Sequence, residues 1–230
     1  MNNTEPSRVI LGDCLQELRK LPDASVDFIL TDPPYLVRYR DSSGRSVAND
    51  DNTRWMFPAF YEMFRVLKPD SYCFSFYGWL QADRFMEAWW ENGFQPVGHF
   101  SFVKNYSSKV KHCQGRHETA YLLAKGNPLP PINPPSDVMP WKSTGNKLHP
   151  TQKPVLSLAP LIEAYCKPGG LVLDPFAGSG STGIAALVSR RRCLLMEKDA
   201  THYQTACTRI DQLPYHITAA GKTNAAQAVR

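Results

Sequence analysis

The strongest chemical signal in the chain is four consecutive residues, Asp32, Pro33, Pro34 and Tyr35, directly after the apolar run "FILT". Each proline fixes its own φ and gives up its N–H, and Pro34 pushes Pro33 toward an extended backbone. The Pro33 carbonyl then has no helix or ladder to join and can face a cleft. Beside it stands the Asp32 carboxylate, an acceptor only when ionised. Two fixed acceptors side by side suit a group with two N–H donors, a planar amine. The exocyclic amine of a nucleobase is a poor nucleophile, because its lone pair is delocalised into the ring. Holding both hydrogens favours a pyramidal nitrogen. The acid and the carbonyl dipole then stabilise the positive charge that grows as this nitrogen bonds to carbon. Tyr35 adds a π-face on which a base rotated out of a duplex can stack. Taken alone, the tetrapeptide would read as a turn after a buried strand, since Asp-Pro starts many turns.

A second stretch, "LDPFAGSGSTG", weakens that plain reading. Residues 178–183 satisfy GxGxxG, between an apolar strand pattern and a helical one, as the motif requires. Glycines let a ligand approach the backbone, and a helix N-terminus offers free N–H groups to an anion. Glu197 lies 23 positions after Asp174, at the end of the next apolar run. A carboxylate there can accept from both hydroxyls of a ribose. Only about 60 residues follow the start of this unit. That is room for one nucleotide half, whereas an NAD oxidoreductase needs two and a catalytic proton donor. One adenosine moiety fits better. A binding module without catalysis would not need Asp32 and the glycines together.

These segments need a scaffold. The 230 residues suit one medium α/β domain. Strand patterns at "SRVILGD", "SVDFILTD", "SYCFSFYG", "FQPVGHFSFVKN", "HETAYLLAKG", "LVLD" and "RRCLLMEKD" alternate with helical ones. The expected fold is a doubly wound, mostly parallel, Rossmann-like sheet with helices on both faces. Residues 1–213 form the expected domain. Residues 126–148, rich in proline, read as an irregular excursion, and 214–230 as a frayed tail. No apolar run reaches the roughly 18–20 residues of a membrane span, and the N-terminus lacks a secretory pattern. The six cysteines (14, 73, 113, 166, 193, 207) are scattered without a CxxC pair, which suits reduced thiols in the cytoplasm. His112, Cys113 and His117 lack a second ligand pair, so no metal site is expected. The net charge of +5 permits a nucleic-acid partner without requiring one.

On these motifs the chain resembles the S-adenosylmethionine-dependent DNA amino-methyltransferases. The order, "DPPY" first and "DPFAGSGST" late, resembles their β class. "HPTQKP" at 149–154, "GDCLQEL" at 12–18, "FPAFYEMFRVLKP" and "HETAYLLAKG" match further segments of that family. The resemblance implies S-adenosylmethionine as cofactor, double-stranded DNA as substrate, and Asp32, Pro33, Pro34 and Tyr35 at the target base. Asp174, Pro175, Phe176, Ala177, Gly178, Ser179 and Gly180 would line the methionine part of the cofactor. Ser181 and Thr182, with His149, Thr151 and Lys153, would hold its carboxylate end. Glu197 with Lys198 would take the ribose, and Asp13 with Cys14 the adenine. A "DPPY" implies adenine-N6 as the target; cytosine-N4 is the alternative. Relatives that methylate a protein glutamine resemble "NPPY" placed after the glycine motif, opposite to the order here.

Residues 104–117, "KNYSSKVKHCQGRH", contain no acid and read as a basic loop. Lys104, Tyr106, Lys109, Lys111 and Arg116 are its candidates for DNA contact. Arg38 and Arg40, after the catalytic motif, and Lys142 and Lys147, in "WKSTGNK", are further candidates. The target-recognition interval is short, which suggests a short DNA site and a homodimer. Whether a cognate restriction enzyme exists is not written in the sequence.

Overall fold

A computed structural model describes residues 7–35, 53–109, 112–141 and 152–213. Eight strands form one sheet among them, in the order β1-β8-β7-β2-β3-β5-β4-β6. The strands are β1 (Arg8–Leu11), β2 (Val26–Thr31), β3 (Leu67–Phe76), β4 (Gln95–Lys109), β5 (Gln114–Lys125), β6 (Val138–Trp141), β7 (Leu171–Asp174) and β8 (Arg192–Glu197). Only β5 runs against its neighbours; the other pairings are parallel. The helices are α1 (Cys14–Leu18), α2 (Met56–Val66), α3 (Ala82–Glu91), α4 (Val155–Tyr165), α5 (Ser181–Val188) and α6 (Ala200–Asp211).

β2 shows why the sheet is covered on both faces. All six of its residues are buried, including Thr31 and Asp27, as a central parallel strand demands. One face packs on α1, α2 and α3 through Leu18, Met56, Phe60, Phe85 and Trp89. The other packs on α4, α5 and α6 through Leu158, Ile162, Ile184 and Ala185, with Ile210 at its border. Asp27 is buried without an apolar role. Its carboxylate accepts from the Leu171 N–H at 2.9 Å and from Lys68 Nζ at 2.6 Å, tying β2 to β7 and β3 at their entry ends.

The chain leaves β7 through α5 toward β8, on one side of the sheet and over one face. It leaves β2 through α2 toward β3, on the other side and over the opposite face. The β7–β2 boundary is therefore the switch point of the winding, where the connections diverge and a crevice opens outside the carboxyl ends of the strands.

Two expectations are corrected. Residues 126–148 are not wholly irregular: Val138–Trp141 forms β6, pairing in parallel with Ser101–Lys104 of β4. A four-residue strand containing a proline has too little pattern to show in sequence. Residues 104–117 are not simply a loop either. β4 runs to Lys109 and β5 starts at Gln114, so the polar stretch extends a long hairpin. A run of polar residues carries no period-two pattern, so the sequence alone reads it as a solvated loop.

Candidate active site

β2 delivers Asp32 and Tyr35 to the crevice. Pro33 and Pro34 are buried, and among the described residues none donates a hydrogen bond to the Pro33 carbonyl. Tyr35 is turned back on Asp32, and its hydroxyl donates to Oδ1 at 2.8 Å. Gly78, just after β3, makes this turn possible: a Cβ there would lie 2.7 Å from the Tyr35 Cβ. Asp32 Oδ2 forms an ion pair with Lys153 Nζ. Burial raises the Asp32 carboxyl above its ordinary pKa, while the Lys153 ammonium and the Tyr35 hydroxyl pull it down.

Lys153 pairs with Asp32 in the structure. The resemblance put it at the cofactor's carboxylate, with the glycine turn. Its ammonium sits on Asp32, inside a box of aromatic rings: Phe76 at 4.9 Å, Tyr35 at 5.3 Å and Trp141 at 5.8 Å. Cation–π attraction makes a buried ammonium tolerable there. The expectation for Lys104 is corrected. It is 7% exposed and paired with Glu118, so it is no phosphate contact. Its ammonium lies over the Tyr106 and Trp141 rings, at 5.8 and 6.0 Å. Glu118 bears on both Tyr35 and Asp32. Phe76, Glu118 and Trp141 were not singled out in the sequence. Glu118 lies within the "HETAYLLAKG" match, which was the one signal available for it.

The glycine turn follows β7 on the neighbouring strand. Asp174 ends β7, buried. Its Oδ1 accepts from the Phe176 N–H at 3.1 Å and its Oδ2 from the Thr182 hydroxyl at 2.7 Å. Those bonds commit Asp174 and the Thr182 side chain to shaping the turn, leaving the backbone N–H groups at the α5 start for a ligand. Pro175 and Ala177 complete the bend, and the Ala177 N–H donates to the Met196 carbonyl at 3.0 Å. Phe176 packs on Trp55, ring centres 5.1 Å apart. Gly178 and Gly180 have φ of 52° and 79°. Arg209 of α6, absent from every sequence motif, braces the turn. Its Nη1 donates to the Ser179 carbonyl at 2.6 Å and to the Ser179 and Ser181 hydroxyls at 3.2 Å each.

β8 and β1 complete the rim. Glu197 Oε2 accepts from the Gly178 N–H at 2.8 Å, and Oε1 from the Asp199 N–H at 2.7 Å. Burial raises its pKa. Asp13 caps α1 through Leu15 N–H at 3.0 Å and pairs with Lys198 Nζ at 3.1 Å. Cys14 beside it is buried, its thiol pushed up to about 12, and it packs as an apolar side chain. Acids at two neighbouring strand ends flank free N–H groups at a helix start. That donor and acceptor set fits a nucleoside carrying a carboxylate, and the Asp32 site lies across the same crevice.

The DNA methylase family of N6 and N4 enzymes matches residues 26–208. The chain belongs to that family. Among relatives of this DNA methylase is an Escherichia coli (strain K12) protein named "Putative methylase YubD". It is 55% identical over 191 residues, which is 83% of this chain and 84% of that protein. A second from the same strain, "DNA adenine methyltransferase YhdJ", is 28% identical over 90% of this chain and 83% of its own length. Two solved structures share the fold. The M1.HpyAVI–SAM complex has a TM-score of 0.72 at 23% identity, covering 89% of this chain and 98% of that one. PvuII DNA methyltransferase, cytosine-N4-specific, has a TM-score of 0.72 at 17% identity, covering 95% and 94%.

Of the methylase's candidate DNA contacts, Arg116 is exposed and Tyr106 is 39% exposed. Arg116 borders a shallow depression of about 440 Å³ with Val103, Asn105, Val138 and Met139. Arg38, Arg40, Lys111, Lys142, Lys147, His149 and Thr151, and the Lys109 side chain, lie outside the described residues. Among the described residues no cluster of His, Cys, Asp or Glu could hold a metal, and no helix is long and apolar enough to cross a membrane.

Proposed function

We propose that this chain methylates N6 of adenine in double-stranded DNA, acting on a base rotated out of the duplex. The observation that carries the reading is the adjacency of β2 and β7, with Phe28 beside Val172 and Ile29 beside Leu173. It brings the amine-gripping acid and the glycine turn to one crevice. Bound there, S-adenosylmethionine supplies a methyl group on a positively charged sulfur. The N–H groups of the α5 start would hold its carboxylate, Glu197 would accept from its ribose hydroxyls, and Asp13 would face its adenine. On the substrate side, the target amine displaces Lys153 from Asp32 Oδ2 and gives its second hydrogen to the Pro33 carbonyl. Asp32 stabilises the positive charge that the nitrogen gains, so its contribution is greatest in the transition state. Tyr35 stacks on the base. Support for adenine comes from the "DPPY" itself and from YhdJ, a relative named for adenine.

The test uses unmethylated DNA and S-adenosylmethionine labelled in its methyl group, followed by digestion and identification of the nucleoside. N6-methyladenine is expected. Methylcytosine would overturn the base assignment, and label in protein alone would overturn the substrate class. Asp32→Ala should abolish transfer and leave cofactor affinity within a few-fold of wild type.

A further inference from the structure

Three aromatic rings surround the Lys153 ammonium, and the reading above gives a task to only one of them, Tyr35. Phe76 ends β3 and Trp141 ends β6. The ring centres of Phe76, Tyr35 and Trp141 lie 4.9, 5.3 and 5.8 Å from Lys153 Nζ. All are within the roughly 6 Å over which a ring face attracts a cation. Phe76 is fully buried and Trp141 is 7% exposed. Their rings are 6.3 Å apart and inclined at 78°, so they approach the ammonium from different sides. Phe102 packs on both, at 5.2 Å from Phe76 and 6.0 Å from Trp141, and fixes the pair in place. Lys104 also lies over Trp141, at 6.0 Å, with its charge paired to Glu118. Dry, preformed ring faces thus attract positive charge at one point, beside Asp32 Oδ2.

On the reading above, Lys153 holds that point only until a base arrives. Its Nζ bonds to the oxygen that the target amine must reach, so it marks where the reacting nitrogen comes to rest. That nitrogen is neutral on arrival and charged as it reacts. Its lone pair forms the bond to the methyl carbon while the S–C bond breaks. The S–C electron pair stays on sulfur, which leaves as a neutral thioether. The nitrogen keeps a positive charge until one of its hydrogens leaves as H⁺, taken by Asp32. We propose that Phe76 and Trp141 are catalytic residues for this transfer: their ring faces stabilise the charge that grows on the target nitrogen, in the place where they now hold the Lys153 ammonium. An attraction that appears only with the charge lowers the barrier and leaves substrate affinity alone. This rests on the role given to Asp32 above.

Fluorine tests it at nearly constant shape, because each fluorine on an indole weakens the attraction of its face for cations. Protein labelled with mono-, di- and trifluorotryptophan should transfer methyl groups in single turnovers at a rate falling stepwise, by about tenfold over the series, with cofactor and DNA affinities within about twofold of the unlabelled protein. The chain has five tryptophans. The series is therefore repeated in Trp141→Phe, where the rate should no longer respond to fluorine. Phe76→Leu removes the other ring. By calorimetry, that variant should bind a cofactor analogue with C–NH₃⁺ in place of S⁺–CH₃ less well, by at least about threefold relative to neutral S-adenosylhomocysteine. A merely structural defect would weaken both ligands alike. Circular dichroism confirms folding; if either variant fails to fold, the fluorinated wild type decides. A rate flat across the series, an equal decline in Trp141→Phe, or an unmoved affinity ratio in Phe76→Leu would each overturn the proposal. A wild-type protein that methylates no DNA would instead overturn the reading of the site itself, and this inference with it.

Discussion

Asp174, buried, and Asp32, partly buried, are acids at the ends of neighbouring strands, and their neighbours set them apart. Asp32 has the Lys153 ammonium against it. Asp174 has only an N–H and a hydroxyl, and burial pushes its carboxyl up to about 7. Its folded pKa thus lies above the unfolded value of about 4. The folded state then binds more protons between the two values, so the stability Asp174 contributes is fully present below about pH 4 and is lost as pH rises through about 7. Asp174→Asn keeps the shape without the charge. Its urea midpoint should fall less than that of wild type between pH 4 and 8, measured by denaturation across that range; an equal fall would refute the burial argument. At this scale, Asp32 and Glu197 were legible as strand ends, because each closes an apolar run. Sequence served Glu118, Lys104 and Lys153 poorly. Their roles come from pairing with residues far along the chain, which spacing does not encode.

At the scale of elements, the glycine turn depends on α6. Gly180 has φ 79°, and a Cβ there would lie 2.9 Å from the Ala206 Cβ. Gly180→Ala should therefore destabilise the fold by about 1–3 kcal/mol, read from thermal or urea unfolding. Arg209 reaches the same turn from the last stretch of α6. Arg209→Met would leave the Ser179 carbonyl and two hydroxyls without that donor, a loss of about 1–3 kcal/mol in ordering the turn. Calorimetry should show cofactor affinity falling by about tenfold, while kcat at saturation changes little. An unchanged affinity would reduce Arg209 to a surface contact. The turn itself was legible from GxGxxG. Its brace was not, since one arginine on an amphipathic helix looks like any solvated charge.

At the scale of the whole molecule, the alternation of strands and helices disclosed a doubly wound sheet, but not that β5 reverses or that β6 closes its far edge. Pairing of distant strands is decided by packing, and local pattern carries little of it. Charge on the β4–β5 ribbon now divides by burial. Arg116→Ala should weaken DNA binding about equally on all sequences and lower the slope of log affinity against log salt by about 1. Lys104→Ala should leave that slope unchanged, its charge being spent on Glu118. Fluorescence anisotropy at several salt concentrations separates the two. The ring of Trp141 lies 5.8 Å from Lys153 Nζ, although twelve positions of sequence part them. The chain is thus made fast at one spot by Trp141 and Lys153, like rope on a single cleat. Doubling the length between them would add only about 0.6 kcal/mol of closure entropy. An insertion between these two anchors would thus cost the fold little in chain entropy.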